Sequence, residues 1–335
     1  MPELRKDPVS GRWVIIATER ARRPGNFIDP QHDAEPETEK CPFCDNKDRP
    51  IHVVKKPMGG WYVKVIENGN PIVQTETAFD RRGQGLYYVL NGHGVHEVII
   101  ETPDHTANMA DLSAAQIERV FKTYVLRFNE LEKDPHLQCV LAYKNYGQAA
   151  GSRRIAHARS QMLATSVNPI RVEEKLKSAK KYYDYHERCL YCDLIQQELA
   201  EKKRIVVENE QFLAITPFAP RFPFEIWVLP RKHHARFYKG VLGEERALAE
   251  ILKEVLLRLK IGLDDPAYNY VIQTAPFARG ERWDRWRTIE EDYHWHLEIM
   301  PRLTRAAGFE KGTGFYICAI PPEDAAAYLR EVRVS

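Results

Sequence analysis

The sequence predicts an α+β fold made of two related halves, residues 1–170 and 171–335. This prediction depends on an order of features that occurs twice along the chain. Each copy contains a Cys-x-x-Cys pair, strands that end in a Pro-to-His segment, an amphipathic helix, a further strand, and a His-x-His or His-x-Arg motif. A repeat of this kind is typical of duplicated units that pack against each other.

The first half is predicted from turn signals, apolar runs and one helical periodicity. Strands are predicted at residues 13–16, 61–66, 96–101 and 137–144. Ser113 and Gln116 form a capping-box pattern, which predicts that a helix begins there. The core face of this helix repeats at helical spacing and comprises Ile117, Val120, Phe121, Tyr124, Phe128 and Leu131.

The second half begins with a charged helical connector at residues 170–187 and then follows the same order. Strands are predicted at residues 212–216, 224–229, 268–274 and 293–299. A helix between the second and third of these strands has a core face formed by Leu248, Ile251, Leu252, Val255, Leu256 and Leu259.

Two short motifs carry the side chains of chemical interest. Because alternate residues of a strand share a face, residues 293–299 place His294, His296 and Glu298 together on one side. A second copy of this layout begins at His157, and it contains Arg159 where the second half has His296.

Composition and charge indicate a folded protein. Hydrophobic residues make up 44% of the chain and charged residues 29%, and the formal net charge is +2. This balance argues against nucleic acid or a membrane surface as a partner. No apolar run approaches the roughly 20 residues that span a bilayer, and the first residues lack the apolar core of a signal peptide. We therefore expect a cytoplasmic location.

The spacing of cysteine and histidine residues predicts two metal sites. In a cytosolic protein, Cys-x-x-Cys pairs are more typical of metal ligands than of disulfides. Thiolates together with imidazoles favour zinc, and four protein ligands leave no open position, so both sites are expected to be structural. The repeat assigns Cys41, Cys44, His105 and His157 to one site, and Cys189, Cys192, His233 (or His234) and His294 to the other.

Motifs over nearly the whole chain match the pattern of one known family. They include Trp13-Val14-Ile15-Ile16, Arg20-x-x-Arg23, Cys41-Pro42-Phe43-Cys44, Pro103-Asp104-His105, Asn145-x-Gly147, Ser160-Gln161, Pro230-x-x-His233 and His294-x-His296. In these motifs the chain resembles galactose-1-phosphate uridylyltransferase and its relatives, ADP-glucose phosphorylase among them, in the histidine-triad superfamily. The resemblance implies two histidine-triad-like repeats with antiparallel sheets flanked by helices. It also implies a homodimer.

The resemblance further implies transfer of a nucleoside monophosphate between phosphates through a covalent nucleotidyl-histidine, with a nucleotide sugar or sugar phosphate as ligand. The motif that carries this chemistry in the family corresponds to residues 157–161. Its zinc ligand falls on His157, its nucleophile on Arg159 and its phosphate-contacting glutamine on Gln161. Nucleotide contacts fall on Arg20, Arg23, Asn68, Asn145 and Ser152. Considered without the resemblance, the arginines at positions 20–23 are equally compatible with a solvated charge run.

Arg159 is the main departure from the family pattern. A nucleophile needs a lone pair, which histidine presents near neutral pH, whereas a guanidinium stays protonated and has no acceptor site. One hypothesis is an enzyme with an altered mechanism, in which His296 attacks and Glu298 orients it. Arg159, Arg153 and Arg154 then stabilise the charge of the phosphoryl group.

Two further hypotheses remain open at the level of sequence. The chain could bind a nucleotide or sugar phosphate without turnover, with Arg159 holding phosphate. It could also catalyse a different reaction on an anionic substrate. The alternative interpretation of His296 is a buried histidine with all its hydrogen bonds made, beside the second zinc site.

Overall fold

The computed structural model of the protein describes residues 1–20, 41–44, 50–152, 157–277, 279 and 286–334, without the side chain of Arg20. Within these residues the chain has the α+β fold that the sequence predicts. The strands are β1 (Glu3–Lys6), β2 (Trp13–Ile16), β3 (His52–Lys55), β4 (Trp61–Glu67), β5 (Arg81–Gln84), β6 (Tyr87–Leu90), β7 (Gly94–Ile100), β8 (Cys139–Tyr146), β9 (Arg159–Thr165), β10 (Ile205–Glu208), β11 (Phe212–Ile215), β12 (Ile226–Pro230), β13 (Tyr268–Gln273), β14 (His296–Pro301) and β15 (Tyr316–Cys318). The α-helices are α1 (Ala114–Leu131), α2 (Ile170–His186), α3 (Leu190–Glu201), α4 (Phe237–Gly240), α5 (Glu245–Gly262), α6 (Ile289–Asp292), α7 (Gly308–Thr313) and α8 (Pro322–Glu331).

A ten-stranded antiparallel sheet in the order β10-β11-β12-β14-β13-β8-β9-β7-β4-β3 forms the centre of the described structure. Each half contributes five strands, and both halves follow the same order outward from the central β8–β13 pair. At this centre Asn145 lies opposite Asn269, and Tyr143 lies opposite Val271. The sheet is therefore a continuous duplicated structure. The division of the chain between residues 170 and 171 stays a prediction.

Helices α1 and α5 pack against each other and cover one face of the sheet. Ile117 and Phe121 of α1 and Leu248 and Leu252 of α5 are fully buried there, in the same apolar cluster as strand residues of both halves. These residues belong to the core faces that helical periodicity predicts. The hydrophobic effect therefore joins the two halves through a common core.

The start of α1 agrees only partly with the predicted capping box. Ser113 is the N-cap, and its hydroxyl accepts a hydrogen bond from the backbone amide of Gln116 at 3.2 Å. The prediction of a reciprocal bond from the Gln116 side chain to the N-cap was wrong. Its amide nitrogen donates instead to the backbone carbonyls of Tyr62 and Glu101, at 2.7 Å each. Gln116 thus ties the helix to the ends of neighbouring strands.

The opposite face of the sheet differs between the two halves. In the second half, α2 covers it, and Val172 and Leu176 are buried in a cluster with Leu213 and Ile215. In the first half, Phe43 packs against the outer strands, while alternate residues of β9 remain partly exposed. On this face the described part of β9 therefore presents Arg159 and Gln161, whereas the corresponding part of β14, which includes His296, is buried.

Smaller elements complete the fold. Strands β1, β2 and β15 form a three-stranded sheet in which β15 runs parallel to β2, so it joins the first and last parts of the described chain. Arg5 of β1 also forms an ion pair with Glu323 of α8 at 2.9 Å. Among the helices that the structure describes, none combines the length and apolar character needed to cross a membrane.

Candidate functional site

The four predicted metal ligands of the first half converge next to the start of β9. Cys44 Sγ lies 3.4 Å from His105 Nδ1 and 3.5 Å from His157 Nδ1, and Cys41 Sγ lies 3.7 Å from His157 Nδ1. A tetrahedral zinc ion, with bonds of about 2.3 Å to sulfur and about 2.0–2.1 Å to nitrogen, separates such atoms by about 3.6 Å. The four side chains therefore fit a single zinc ion.

The four predicted ligands of the second half converge in the same way. Cys192 Sγ lies 3.4 Å from His233 Nδ1 and 3.7 Å from His294 Nδ1. Cys189 completes the set, and one ligand atom from each residue lies within 4.8 Å of all the others. The structure brings His233, rather than its neighbour His234, into this set.

Backbone carbonyl groups orient three of these histidines. Each ring donates its Nε2 proton to a carbonyl oxygen: His157 to Thr102 (2.7 Å), His233 to Glu290 (2.7 Å) and His294 to Pro230 (3.0 Å). This bond fixes the tautomer and leaves the Nδ1 lone pair available to a metal. The paired histidine rings also match, with centroid separations of 5.4 and 5.2 Å and interplanar angles of 87° in both sets.

Arg159 is the first residue of β9, and its half-buried side chain projects from the face that α1 does not cover. Its guanidinium donates to Ser152 Oγ at 3.2 Å and to the His157 carbonyl at 3.4 Å, and it lies 5.6 Å from the centre of the Phe43 ring. Burial lowers the pKa of Arg159, and the nearby Glu101 carboxylate opposes this shift. The group remains a cation at neutral pH and has no lone pair to offer.

Gln161 projects from the same face two residues later. Its Oε1 atom accepts hydrogen bonds from His96 Nε2 at 2.9 Å, Tyr143 OH at 3.1 Å and Asn68 Nδ2 at 3.3 Å. His96 Nε2 also lies 3.0 Å from Asn68 Nδ2, and the backbone amide of Ile72 lies 3.4 Å from His96 Nδ1. These bonds engage the Gln161 carbonyl oxygen, and the amide NH₂ group is the part of this side chain that can donate to an anion.

Two more predicted contacts lie close to Arg159. Asn145 Oδ1 accepts a hydrogen bond from Asn269 Nδ2 at 2.8 Å, which joins the two halves at the centre of the sheet. Ser152 contacts Arg159, as described above. We call the set Asn68, Tyr143, Asn145, Ser152, Arg159 and Gln161 the polar cluster. The predicted contacts Arg23, Arg153 and Arg154, and the side chain of Arg20, lie outside the described residues.

Models of known protein families match both halves of the chain, and both models describe domains of the same family. A family model described as the N-terminal domain of galactose-1-phosphate uridyl transferase matches residues 1–169. A model described as the C-terminal domain of the same protein matches residues 175–325. The chain belongs to the galactose-1-phosphate uridyl transferase family.

Relatives in this family match the chain over its whole length. ADP-glucose phosphorylase of Arabidopsis thaliana is 34% identical over 344 residues, which cover 100% of this chain and 94% of that protein. Galactose-1-phosphate uridylyltransferase of Thermotoga maritima is 27% identical and covers 100% of this chain and 99% of that protein. The crystal structure of A. thaliana ADP-glucose phosphorylase with bound ADP-glucose has a TM-score of 0.82 and 32% identity, with both chains covered completely. These relatives support a nucleotidyltransferase-like function.

In this member of the uridyl transferase family, the environment of His296 differs from that of Arg159. His296 is 0% exposed and lies against Tyr191 and Trp227. Its Nδ1 proton is donated to the carbonyl of His294 at 3.0 Å, and its Nε2 atom accepts a hydrogen bond from Lys175 at 3.1 Å. Burial, together with the Lys175 ammonium, lowers the pKa of His296 to about 4. This geometry does not support the hypothesis that His296 attacks phosphorus, and it favours the alternative of a buried histidine with its hydrogen bonds made.

Glu298 belongs to a buried ionic cluster that sequence analysis missed. Its carboxylate contacts Lys175 of α2 and accepts hydrogen bonds from Arg221 at 3.0 Å and Gln273 at 3.2 Å. Burial alone would raise the pKa of Glu298, but Arg221 and Lys175 outweigh it and hold the pKa well below its usual value. Arg221 also pairs with Glu225 at 2.6 Å, so two cations face two carboxylates. The cluster has the features of a structural element that attaches α2 to the sheet.

Proposed function

We propose that this protein binds a nucleotide sugar or sugar phosphate at the polar cluster, with Arg159 as the phosphate-binding residue. The observation that carries the proposal is the position of Arg159 and Gln161 at alternate residues of β9, on the face that α1 leaves uncovered. A guanidinium matches the geometry of phosphate oxygens and binds them by charge-assisted hydrogen bonds. The Gln161 amide adds a neutral donor beside it.

The class of ligand follows from the family. The A. thaliana relative with a bound nucleotide sugar matches this chain over its full length, which supports ADP-glucose or a similar compound as the first ligand to test. Asn68, Asn145 and Ser152 supply amide and hydroxyl groups suited to ribose, base or sugar hydroxyls. Within the cell we expect a cytoplasmic homodimer that contains two structural zinc ions.

We further propose that no nucleotidyl-histidine forms on this chain. At position 159 the guanidinium has no electron pair with which to attack phosphorus. At position 296 the imidazole is covered by aromatic residues, and Lys175 occupies its acceptor nitrogen. A two-step route through a covalent histidine is therefore closed at both of the candidate positions.

Direct transfer is a second candidate function. The cluster that surrounds Gln161, including His96 and Tyr143, offers several groups to orient a second phosphate. In this route an oxygen of the acceptor phosphate bonds to the nucleotide phosphorus while the P–O bond to the sugar phosphate breaks and the sugar phosphate leaves, and Arg159 stabilises the charge that develops. One displacement inverts the configuration at phosphorus, whereas two successive displacements retain it. The stereochemical outcome of any turnover therefore separates this route from the covalent one.

Calorimetry of the purified chain with ADP-glucose and UDP-glucose tests the proposal. We expect Arg159→Gln to weaken the binding of the preferred compound at least about tenfold, because a hydrogen bond to a charged group contributes about 1.5–3 kcal/mol. The matched control is Arg246→Gln, which removes a half-exposed guanidinium on α5 and should leave the affinity unchanged. Equal affinity of the wild-type chain and Arg159→Gln would rule out Arg159 as the phosphate-binding residue.

Intact-mass spectrometry tests the covalent route separately. The wild-type chain, incubated with either nucleotide sugar and kept away from acid, should show no mass increase. A nucleotidyl adduct on the wild-type chain would overturn the proposed mechanism even if Arg159 contributes to binding.

A further inference from the structure

A third group of potential metal ligands lies away from both Cys₂His₂ sets. His93 is located between β6 and β7, and Asp134 and His136 belong to the turn between α1 and β8. His93 Nε2 lies 3.3 Å from Asp134 Oδ2, and His136 Nδ1 lies 3.2 Å from Asp134 Oδ1. One donor atom from each residue lies within 4.8 Å of the other two. The cluster is separate from the residues that the family resemblance assigns.

The surroundings of His93 favour metal binding. Its Nδ1 atom donates a hydrogen bond to the carbonyl oxygen of Thr77 at 2.9 Å, so the lone pair is on Nε2, which points at Asp134. A carbonyl that holds the far nitrogen of a histidine ring is the usual outer partner of a metal-binding histidine. The same arrangement orients three histidines of the Cys₂His₂ sets in this protein. His93 is only 8% exposed, so its ring is held in one place.

Asp134 is positioned by the turn that contains it. Its Oδ1 atom accepts a hydrogen bond from the backbone amide of His136 at 2.8 Å. This bond brings the side chains of Asp134 and His136 to the same side of the turn. Arg279 contacts the backbone carbonyl of Asp134 and not its carboxylate. Phe79 packs against both imidazole rings, with centroids 6.3 Å from His93 and 4.8 Å from His136. The carboxylate is therefore directed at two imidazoles beside an apolar ring.

We propose that His93, Asp134 and His136 bind a divalent transition-metal ion. Donors that are each about 2.0–2.2 Å from one zinc ion are separated by about 3–3.5 Å. The two nitrogen-to-oxygen distances above fall in this range, one to each oxygen of the Asp134 carboxylate, so both oxygens are available to the ion. Two imidazoles and one carboxylate suit zinc and other first-row metals better than magnesium or calcium, which prefer oxygen ligands. Three protein ligands leave at least one position for water, so this site is open where the Cys₂His₂ sites are closed.

The proposed ion would connect two segments that are distant in sequence. It would fix the segment that ends at His93 to the turn that follows α1. Neither segment contributes to the polar cluster, so loss of the ion should not alter binding of a nucleotide sugar. This independence separates the third metal site from the proposed function.

Cobalt provides a probe that distinguishes this site from the other two. Cobalt bound by cysteine shows an intense thiolate-to-metal charge-transfer absorption, whereas a site without sulfur shows only weak d–d bands. Full-length protein that holds two equivalents of zinc per chain, enough for the two Cys₂His₂ sites, is titrated with CoCl₂ and followed by absorption and by metal analysis after gel filtration. We expect one equivalent of cobalt to bind without a charge-transfer band.

Variants at the site complete the test. His136 is 46% exposed, so His136→Ala should fold normally and lose the added equivalent, with at least a tenfold weaker affinity. Asp134→Asn keeps the size of the side chain and an oxygen that can accept the hydrogen bond from the His136 amide, but removes the negative charge. It should also lose the added equivalent of cobalt. His186→Ala, an exposed histidine of α2, is the control and should bind cobalt as the wild-type chain does. The proposal is wrong if protein that holds two equivalents of zinc takes up no cobalt, if uptake carries the charge-transfer band, or if His136→Ala binds equally well.

Discussion

Arg159 and His296 occupy equivalent positions in the two halves, each two residues after a buried histidine of a Cys₂His₂ set, but their surroundings are opposite. Arg159 is half-buried and reaches Ser152 on a face that helix α1 does not cover. His296 is fully buried and accepts a hydrogen bond from Lys175 of α2. The two halves therefore share the same strand order and the same metal ligands. They differ in the side chain two residues after the last ligand and in what covers it. Only the first half can present this position to a ligand.

The variant Arg159→His should gain covalent chemistry. An imidazole at this position has a lone pair near neutral pH, and Gln161 is already held two residues away on the same face. We expect incubation with ADP-glucose or UDP-glucose to produce a nucleotidyl adduct that is visible by intact-mass spectrometry and is lost in acid. Arg159→Gln is the control, because glutamine has no comparable nucleophile. A histidine variant that binds the nucleotide sugar and forms no adduct would show that the remaining groups do not support transfer.

Removal of the Lys175 charge should destabilise the protein strongly. Lys175→Met leaves Glu298 buried with Arg221 as its remaining cation, while Arg221 is shared with Glu225. Breaking one partner of a buried ion pair costs about 3–5 kcal/mol, and we expect roughly 3 kcal/mol here, because Arg221 compensates in part. Urea unfolding measures the change in free energy.

Two further variants identify the cause of that loss. Lys177→Met on the same helix removes a largely exposed lysine and should change the free energy of unfolding by less than about 0.5 kcal/mol. The double variant Lys175→Met with Glu298→Gln should be less unstable than the sum of its single variants, because the uncompensated charge is gone. Strict additivity would mean that Lys175 stabilises the fold through packing alone.

The contrast between Lys175 and the metal ligands explains what could be predicted from sequence. The Cys₂His₂ sets could be predicted because ligand type and short spacing are local properties that occur twice in the same order. The role of α2 could not be predicted, because its charge-rich sequence is typical of a solvated connector. Lys175 is buried only because Glu298, 123 residues away, provides a counter-charge.

The start of α1 illustrates the same limit. The Ser113 cap depends on neighbouring residues and could be predicted, whereas the partners of Gln116 lie at strand ends distant in sequence and could not. The position of Arg159 beside Gln161 followed from strand alternation. The burial of His296 required knowledge of which helix covers that half of the sheet.

The two proposed zinc ions should leave the protein at different rates. In the first set Cys44 is exposed, whereas in the second set Cys189 and His294 are buried. A chromogenic chelator should therefore remove about one zinc ion per chain quickly and a second one slowly. Cys44→Ser should abolish the fast phase, and Cys192→Ser should abolish the slow phase. A single phase in the wild-type chain, or loss of the slow phase in Cys44→Ser, would contradict this order.

Among the described residues of the loop between β8 and β9, Gly147 should tolerate substitution least. Its φ angle is +79°, and a Cβ atom placed there would lie 2.6 Å from the Cβ atom of Ala267. The Gly147 carbonyl also accepts a hydrogen bond from the backbone amide of Ser152 at 3.1 Å. The turn therefore determines the position of Ser152, whose hydroxyl accepts a hydrogen bond from Arg159. We expect Gly147→Ala to lower the free energy of unfolding by about 2–4 kcal/mol, because backbone strain and a steric clash act together.

The matched comparison for this variant is Gly151→Ala, four residues later in the same loop. Gly151 also has a positive φ, +98°, but a Cβ atom there would meet only Asn145 Nδ2, at an ordinary 3.8 Å. Strain without a clash should cost about 1–2 kcal/mol, which is less than at Gly147. Thermal and urea unfolding of both variants measure the difference, and calorimetry with a nucleotide sugar shows whether Ser152 and Arg159 have moved. Because the clash with Ala267 is the feature that distinguishes the two glycines, equal destabilisation would mean that close packing against Ala267, the residue before β13, does not constrain the loop.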